Sequence, residues 1–140
     1  MFAVAPLPNI PFPVRRPCPQ GICICGHRAL LESGTGDIRI LRLTLMEEKR
    51  LIDRLEAVCD FDDLQKMLHL MNEQLGIRLE ITPGYTEVRS VRGLRITFQE
   101  QLGLCRKTQK KIPAAIRRCL SDKPKILYRL LDSFDLFRGL

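Results

Sequence analysis

Three cysteines and a histidine fall within ten residues of one another, as Cys18-x4-Cys23-x-Cys25-x-His27. Thiolates and imidazole are ligands that zinc prefers, and four of them can close a tetrahedral site. The spacing works against this. Paired zinc cysteines are commonly separated by two or more residues, so that one turn aims both sulfurs at the ion. A single intervening residue in an extended segment sends neighbouring side chains to opposite faces, a geometry that only Gly21 and Gly26 could relax. The expectation is that Cys18, Cys23, Cys25 and His27 hold no stoichiometric metal, zinc being the ion such a set would take. A redox pair at Cys23 and Cys25 would need a lowered thiol pKa, which spacing does not supply. Cys59, Cys105 and Cys119 are scattered, and Cys59 and Cys119 read as small apolar packing groups.

Charge is the second chemical signal. The formal net charge is +7 with a pI near 9.4, and it is unevenly spread. Residues 46–80 carry five basic and nine acidic side chains, a net of −4, whereas residues 85–130 carry twelve basic and three acidic, a net of +9. Arg89, Arg92, Arg95, Arg106, Lys107, Lys110, Lys111, Arg117 and Arg118 account for most of that excess and form the candidate nucleic-acid surface. The competing reading is a solvated basic face, or one that meets the acidic helix of a second copy.

Signatures of catalysis are missing. Gly34-Thr35-Gly36 lacks the length and lysine of a phosphate loop. His69 lies among Lys66, Leu68, Leu70 and Glu73, the composition of a solvated helix face. Asp60, Asp62 and Asp63 sit where a helix would begin, and interaction with its dipole explains them. No catalytic residue is assigned.

The elements that would carry these groups follow from pattern. Six of the nine prolines (Pro6, Pro8, Pro11, Pro13, Pro17 and Pro19) crowd residues 1–22, which predicts an extended arm before a single domain over 23–140. Ser33-Gly34-Thr35-Gly36 separates Arg28–Glu32 from the apolar run Asp37–Leu45, which reads as a β-hairpin, with a short helix over His27–Ser33 as the alternative for its first arm. Thr44-Leu45-Met46-Glu47 has capping-box spacing. The helix behind it carries Leu51, Leu55 and Val58 at i, i+4 and i+7. Asp60 or Asp62 caps a second helix with Phe61, Leu64, Leu68, Met71 and Leu75 at helical spacing and Gly76 at its end. Ile77, Leu79 and Ile81 alternate with charges as a strand, Pro83-Gly84 turns, and Glu87–Val91 with Leu94–Phe98 form a hairpin around Arg92-Gly93. Pro113 reads as a first helical turn leading to Ile116, Cys119 and Leu120. Asp122-Lys123-Pro124 ends that helix and begins another, striped by Leu127, Leu130, Leu131, Phe134 and Phe137.

The order ββ-αα-βββ-αα predicts an α+β domain, an antiparallel sheet packed by helices. An apolar content of 45% and a charged content of 28% belong to a folded domain rather than a disordered chain. No apolar run approaches the ~18 residues of a membrane span. Met1–Val14 is interrupted by proline and has its arginines after rather than before the apolar stretch, unlike a signal peptide. These features predict reduced thiols and a cytoplasmic setting. The expected function is a small non-enzymatic binding module contacting nucleic acid through its basic C-terminal half. The alternatives are a protein–protein adaptor or assembly factor, self-association included, and a small metal-binding or redox protein using the N-terminal cysteines.

Overall fold

A computed structural model of the chain describes residues 13–16, 25–33, 37–83 and 94–138. Within them the order is α1 (His27–Ser33), a 3₁₀ turn (Ile38–Arg42), α2 (Leu45–Glu56), α3 (Phe61–Leu75), β1 (Leu79–Pro83), β2 (Leu94–Phe98), α4 (Arg106–Asp122) and α5 (Pro124–Arg138). The mixed helix-and-strand class is as expected, but the described residues hold one two-stranded sheet, β1 antiparallel to β2.

The caps explain why α2 and α3 start where they do. The Thr44 hydroxyl accepts the Glu47 N–H at 3.3 Å. The reciprocal half of the capping box is spent elsewhere, because the Glu47 carboxylate takes Arg50 at 2.9 Å. Asp60 caps α3 by accepting the Asp63 N–H at 2.7 Å. Gly76 ends α3 at φ +71°, its N–H donating to the Asn72 carbonyl and the next N–H, from Ile77, to that of Met71. A left-handed backbone is cheap only for glycine, and a side chain here would also run into the Asp37 carboxylate.

The link between α2 and α3 is locked by one carboxylate. Asp63 takes both terminal nitrogens of Arg54, at 2.5 and 3.0 Å, and the Cys59 N–H at 3.1 Å. The guanidinium hydrogen bonds, helped by that N–H, hold the Asp63 carboxyl down at about 2.

Three expectations are corrected. The first hairpin is absent: Arg28–Glu32 lies in α1, as the helical alternative had it, and the second arm is the 3₁₀ turn followed by the Thr44 cap. The reason is burial on consecutive positions, since Ile40 and Leu41 are both fully buried, and alternation across a strand would have exposed one of them. Asp37 adds a local reason by accepting the Arg39 N–H at 3.1 Å, which curls the backbone at the start of the turn. Secondly, the strand predicted from Ile77 begins at Leu79 and runs to Pro83, in the register Leu79↔Phe98, Ile81↔Ile96 and Pro83↔Leu94. Its predicted neighbour Glu87–Val91, the Arg92-Gly93 turn and residues 34–36 lie outside the described residues. Thirdly, α4 begins at Arg106, so Pro113 sits inside it and buried rather than in its first turn. Proline there has no N–H for the Gln109 carbonyl, and the buried face running from Thr108 through Ile112, Ile116, Cys119 and Leu120 holds the helix through that gap. The break at Asp122-Lys123-Pro124 is as expected.

One hydrophobic cluster joins all the elements, including Leu30, Ile40, Leu55, Met71, Ile81, Leu94, Ile116 and Leu130. The described part of the arm, Pro13–Arg16, is attached to it. Val14 packs on the cluster, the Arg15 N–H donates to the Leu41 carbonyl at 2.7 Å, and the Arg15 side chain is buried. Residues 1–12 and 17–24 lie outside the described residues.

Gly76→Ala should lower unfolding free energy by about 1–2 kcal/mol from left-handed strain, read from urea unfolding; an unchanged midpoint would mean the cap can relax. Because the folded pKa of Asp63 lies below its ordinary 3.8, its contribution is present above that value and is lost as pH falls towards about 2. Asp63→Asn should therefore be less stable at neutral pH and lose less stability on acidification over that window, measured by thermal unfolding at stepped pH.

Candidate nucleic-acid interface

α4 carries its basic residues in two rows, because side chains four and eleven apart share a helical face. One row is Lys107, Lys111 and Arg118, and the other is Arg106, Lys110 and Arg117. The first row faces α2. Lys111 Nζ meets Glu48 Oε1 at 2.9 Å, and the Arg118 guanidinium bonds Glu56 Oε1. Glu48 is only 8% exposed. Its second oxygen accepts the Thr108 hydroxyl at 3.1 Å, so both oxygens of this buried carboxylate are satisfied by α4. Beyond the helix end, the Lys123 ammonium donates to the Val58 and Glu56 carbonyls. Two of the basic side chains of α4 thus meet the acidic residues of the chain's own α2.

The second row is used differently. Arg117 is half-buried and donates to the Leu94 carbonyl at 3.3 Å, fastening α4 to β2. Arg106 and Lys110 are exposed, as is Lys107 at the open end of the other row. No described residue forms an ion pair or hydrogen bond with the side chains of these three. Arg95 is exposed on β2, on the opposite side of the strand from buried Leu94. Arg89 and Arg92 lie outside the described residues.

Among the described candidates on α4, those without a partner form a compact group at its start. The first turn there holds Arg106 and Lys107 and no acid, and the Cys105 side chain makes no cap bond. Two cations at the positive end of a helix are mutually unfavourable and unfavourable with the helix dipole. An arriving anion relieves both.

The N-terminal cysteine–histidine set is only partly described. Cys18 and Cys23 lie outside the described residues, and no group of three or more metal-binding side chains occurs within them. His27 Nε2 lies 2.6 Å from the Arg15 carbonyl, which only accepts, so that nitrogen carries the proton and Nδ1 is left with its lone pair. Nδ1 is buried without a hydrogen-bond partner among the described residues, as are Arg15 Nε and Nη1. Burial lowers the His27 pKa, and the nearby guanidinium adds to this against the carbonyl bond. Arg15 Nη2 also reaches Cys25 Sγ at 3.7 Å. The described donors thus have a fixed cation as neighbour, which suits a neutral imidazole and opposes a second cation.

The remaining chemistry is that of packing. Burial pushes the Cys119 thiol up, and its Sγ donates to the Val58 carbonyl at 3.5 Å. Cys59 is exposed at the α2–α3 link rather than packed in the core as expected, and its thiol is raised by desolvation and by the carboxylates of Asp60 and Asp63. Neither has the environment of a reactive thiolate. His69 is on an exposed face beside Glu73, at 3.4 Å. Missed by the sequence reading was the pairing of α2 with α4. The signal was present in Glu48 and Glu56, eight residues apart on one face of a well-marked helix. No helix among the described residues is long and apolar enough to cross a membrane. No family model matches the chain, and no curated protein or solved structure matches it.

Removing the cation from a buried pair should cost more than removing the pair. Lys111→Met should destabilise by about 1–3 kcal/mol. Adding Glu48→Gln should recover part of that loss, and a double-mutant cycle in urea should give a coupling of about 0.5–3 kcal/mol. Strict additivity would mean that the carboxylate is in fact solvated.

Proposed function

We propose that the chain is a small non-enzymatic binding module that contacts nucleic acid through the start of α4. The observation that carries this is the trio Arg106, Lys107 and Lys110. They are exposed, without a carboxylate among the described residues, and stacked on the positive end of a helix that lacks an acidic first turn. Arg106 and Lys110 are spaced by about 6 Å along the axis. That geometry meets phosphates rather than base edges, so affinity comes mainly from counterion release and carries little sequence preference. Tyr128 is exposed on α5, and no row of exposed aromatic side chains accompanies the trio among the described residues. Stacking on single strands accordingly contributes little.

Anisotropy titrations with duplex DNA over a range of salt should show weak binding that falls steeply with ionic strength. Changing Arg106, Lys107 and Lys110 together to glutamine should flatten the slope of log K against log salt by up to about 3 units. Arg118→Gln, which removes a cation already held by Glu56, should alter the slope little. Absence of binding at low salt, or equal effects of the two variants, would sink the proposal.

A further inference from the structure

The most deeply buried guanidinium among the described residues has no anion there. Arg15 is 9% exposed, and its Nε and Nη1 lack a hydrogen-bond partner among those residues. Arg39, Arg54 and Arg118 stand in more water, yet each holds a carboxylate. A cation taken into the interior is tolerated when something negative meets it.

Arg15 is fixed by its backbone on both sides. Its N–H donates to the Leu41 carbonyl at 2.7 Å, and its carbonyl accepts the His27 Nε2 proton at 2.6 Å. The side chain ends on a sulfur, Nη2 donating to Cys25 Sγ at 3.7 Å. Cys25 is anchored as well, its carbonyl accepting the Gly103 N–H at 2.5 Å. Cation and thiol are thus set against each other by bonds of the main chain.

Sulfur is a weak acceptor, and this contact is long beside the about 2.7–2.9 Å of a charged N–H···O⁻ bond. The guanidinium nitrogens are coplanar, so either fork that contains Nη2 also contains Nε or Nη1, both open. An oxygen carried by Sγ lies within reach of such a fork and replaces one weak bond by charge-assisted ones. Cys25 is half-buried and admits a small reagent, whereas Cys105 and Cys119 are buried. Cys59 is exposed, but the carboxylates of Asp60 and Asp63 beside it oppose an anionic sulfur.

We propose that Cys25 is a site of oxidation by hydrogen peroxide or an alkyl hydroperoxide, and that Arg15 holds the oxygenated sulfur as its counter-ion. The sulfur attacks the terminal peroxide oxygen, an S–O bond forming as the O–O bond breaks. Sulfur gives up two electrons to the peroxide, whose other oxygen departs as water or alcohol with the thiol proton. The guanidinium stabilises the charge that gathers on that departing oxygen. A second peroxide molecule repeats the transfer and leaves the sulfinate, an anion at neutral pH. None of the α4 cations takes part.

The test treats the full, reduced chain with hydrogen peroxide and a cyclic diketone that traps sulfenic acid, and follows each cysteine by peptide mass spectrometry. Cys25 should be oxidised about tenfold or more faster than Cys59, and without the trap should end as the sulfinate. Cys25→Asp copies that product, with a carboxylate carbon in place of the sulfur. At neutral pH it should unfold about 4 °C or more above Cys25→Asn, which has the same shape without the charge. Adding Arg15→Gln should erase the difference. Without any variant, the Arg15 guanidinium N–H signals in ¹⁵N spectra should shift when the wild-type chain is oxidised. The proposal is overturned if Cys25 reacts no faster than Cys59, if those signals stay in place, or if Cys25→Asp is no more stable than Cys25→Asn. A difference that survives Arg15→Gln also overturns it, as does a disulfide of Cys25 in place of the sulfinate, or a zinc ion shielding its thiol in the purified protein.

Discussion

A carboxylate is buried between two helices, and the arrangement of the rest depends on how it is satisfied. Glu48 cannot be left alone in the interior, since an unpaired buried charge costs several kcal/mol. Lys111 and Thr108 supply its partners from two successive turns of α4. Those two bonds fix the rotation of α4 about its axis, and with it the face that carries Ile112, Ile116 and Leu120 into the core. Van der Waals packing alone would tolerate neighbouring rotations and registers, whereas a carboxylate with two specific donors does not.

That rotation sorts the charges. Basic residues on the side of α4 turned to α2 become structural cations, and those on the other side stay in water or, like Arg117, tie the helix to the sheet. Two cations of the basic half, Lys111 and Arg118, are neutralised by α2 carboxylates where the halves touch, and Arg117 and Lys123 are spent on backbone carbonyls. On α4 that sorting leaves Arg106, Lys107 and Lys110 exposed at the helix start.

Legibility in the sequence followed locality. α2 and α3 could be read because Thr44, Asp60 and Gly76 act on backbone groups two to four residues away, within reach of a pattern. Residues 37–45 could not, because an apolar run buried on consecutive positions looks like a strand until its neighbours are known. Leu45, the last of that run, is 83% exposed, so not even the hydrophobic pattern there reports burial. The start of α4 was hidden for the opposite reason. Its innermost residue is Thr108, a polar side chain that periodicity does not count, and what makes it core is a glutamate sixty residues earlier.

Pro113 has a consequence for how α4 moves. With no amide proton to exchange and no bond to the Gln109 carbonyl, it interrupts the zipper by which a helix opens from its end. The stretch before it, which carries Arg106, Lys107 and Lys110, is anchored to α2 by the bonds of Thr108 and Lys111 to Glu48, so side chains span the place where the backbone bond is missing.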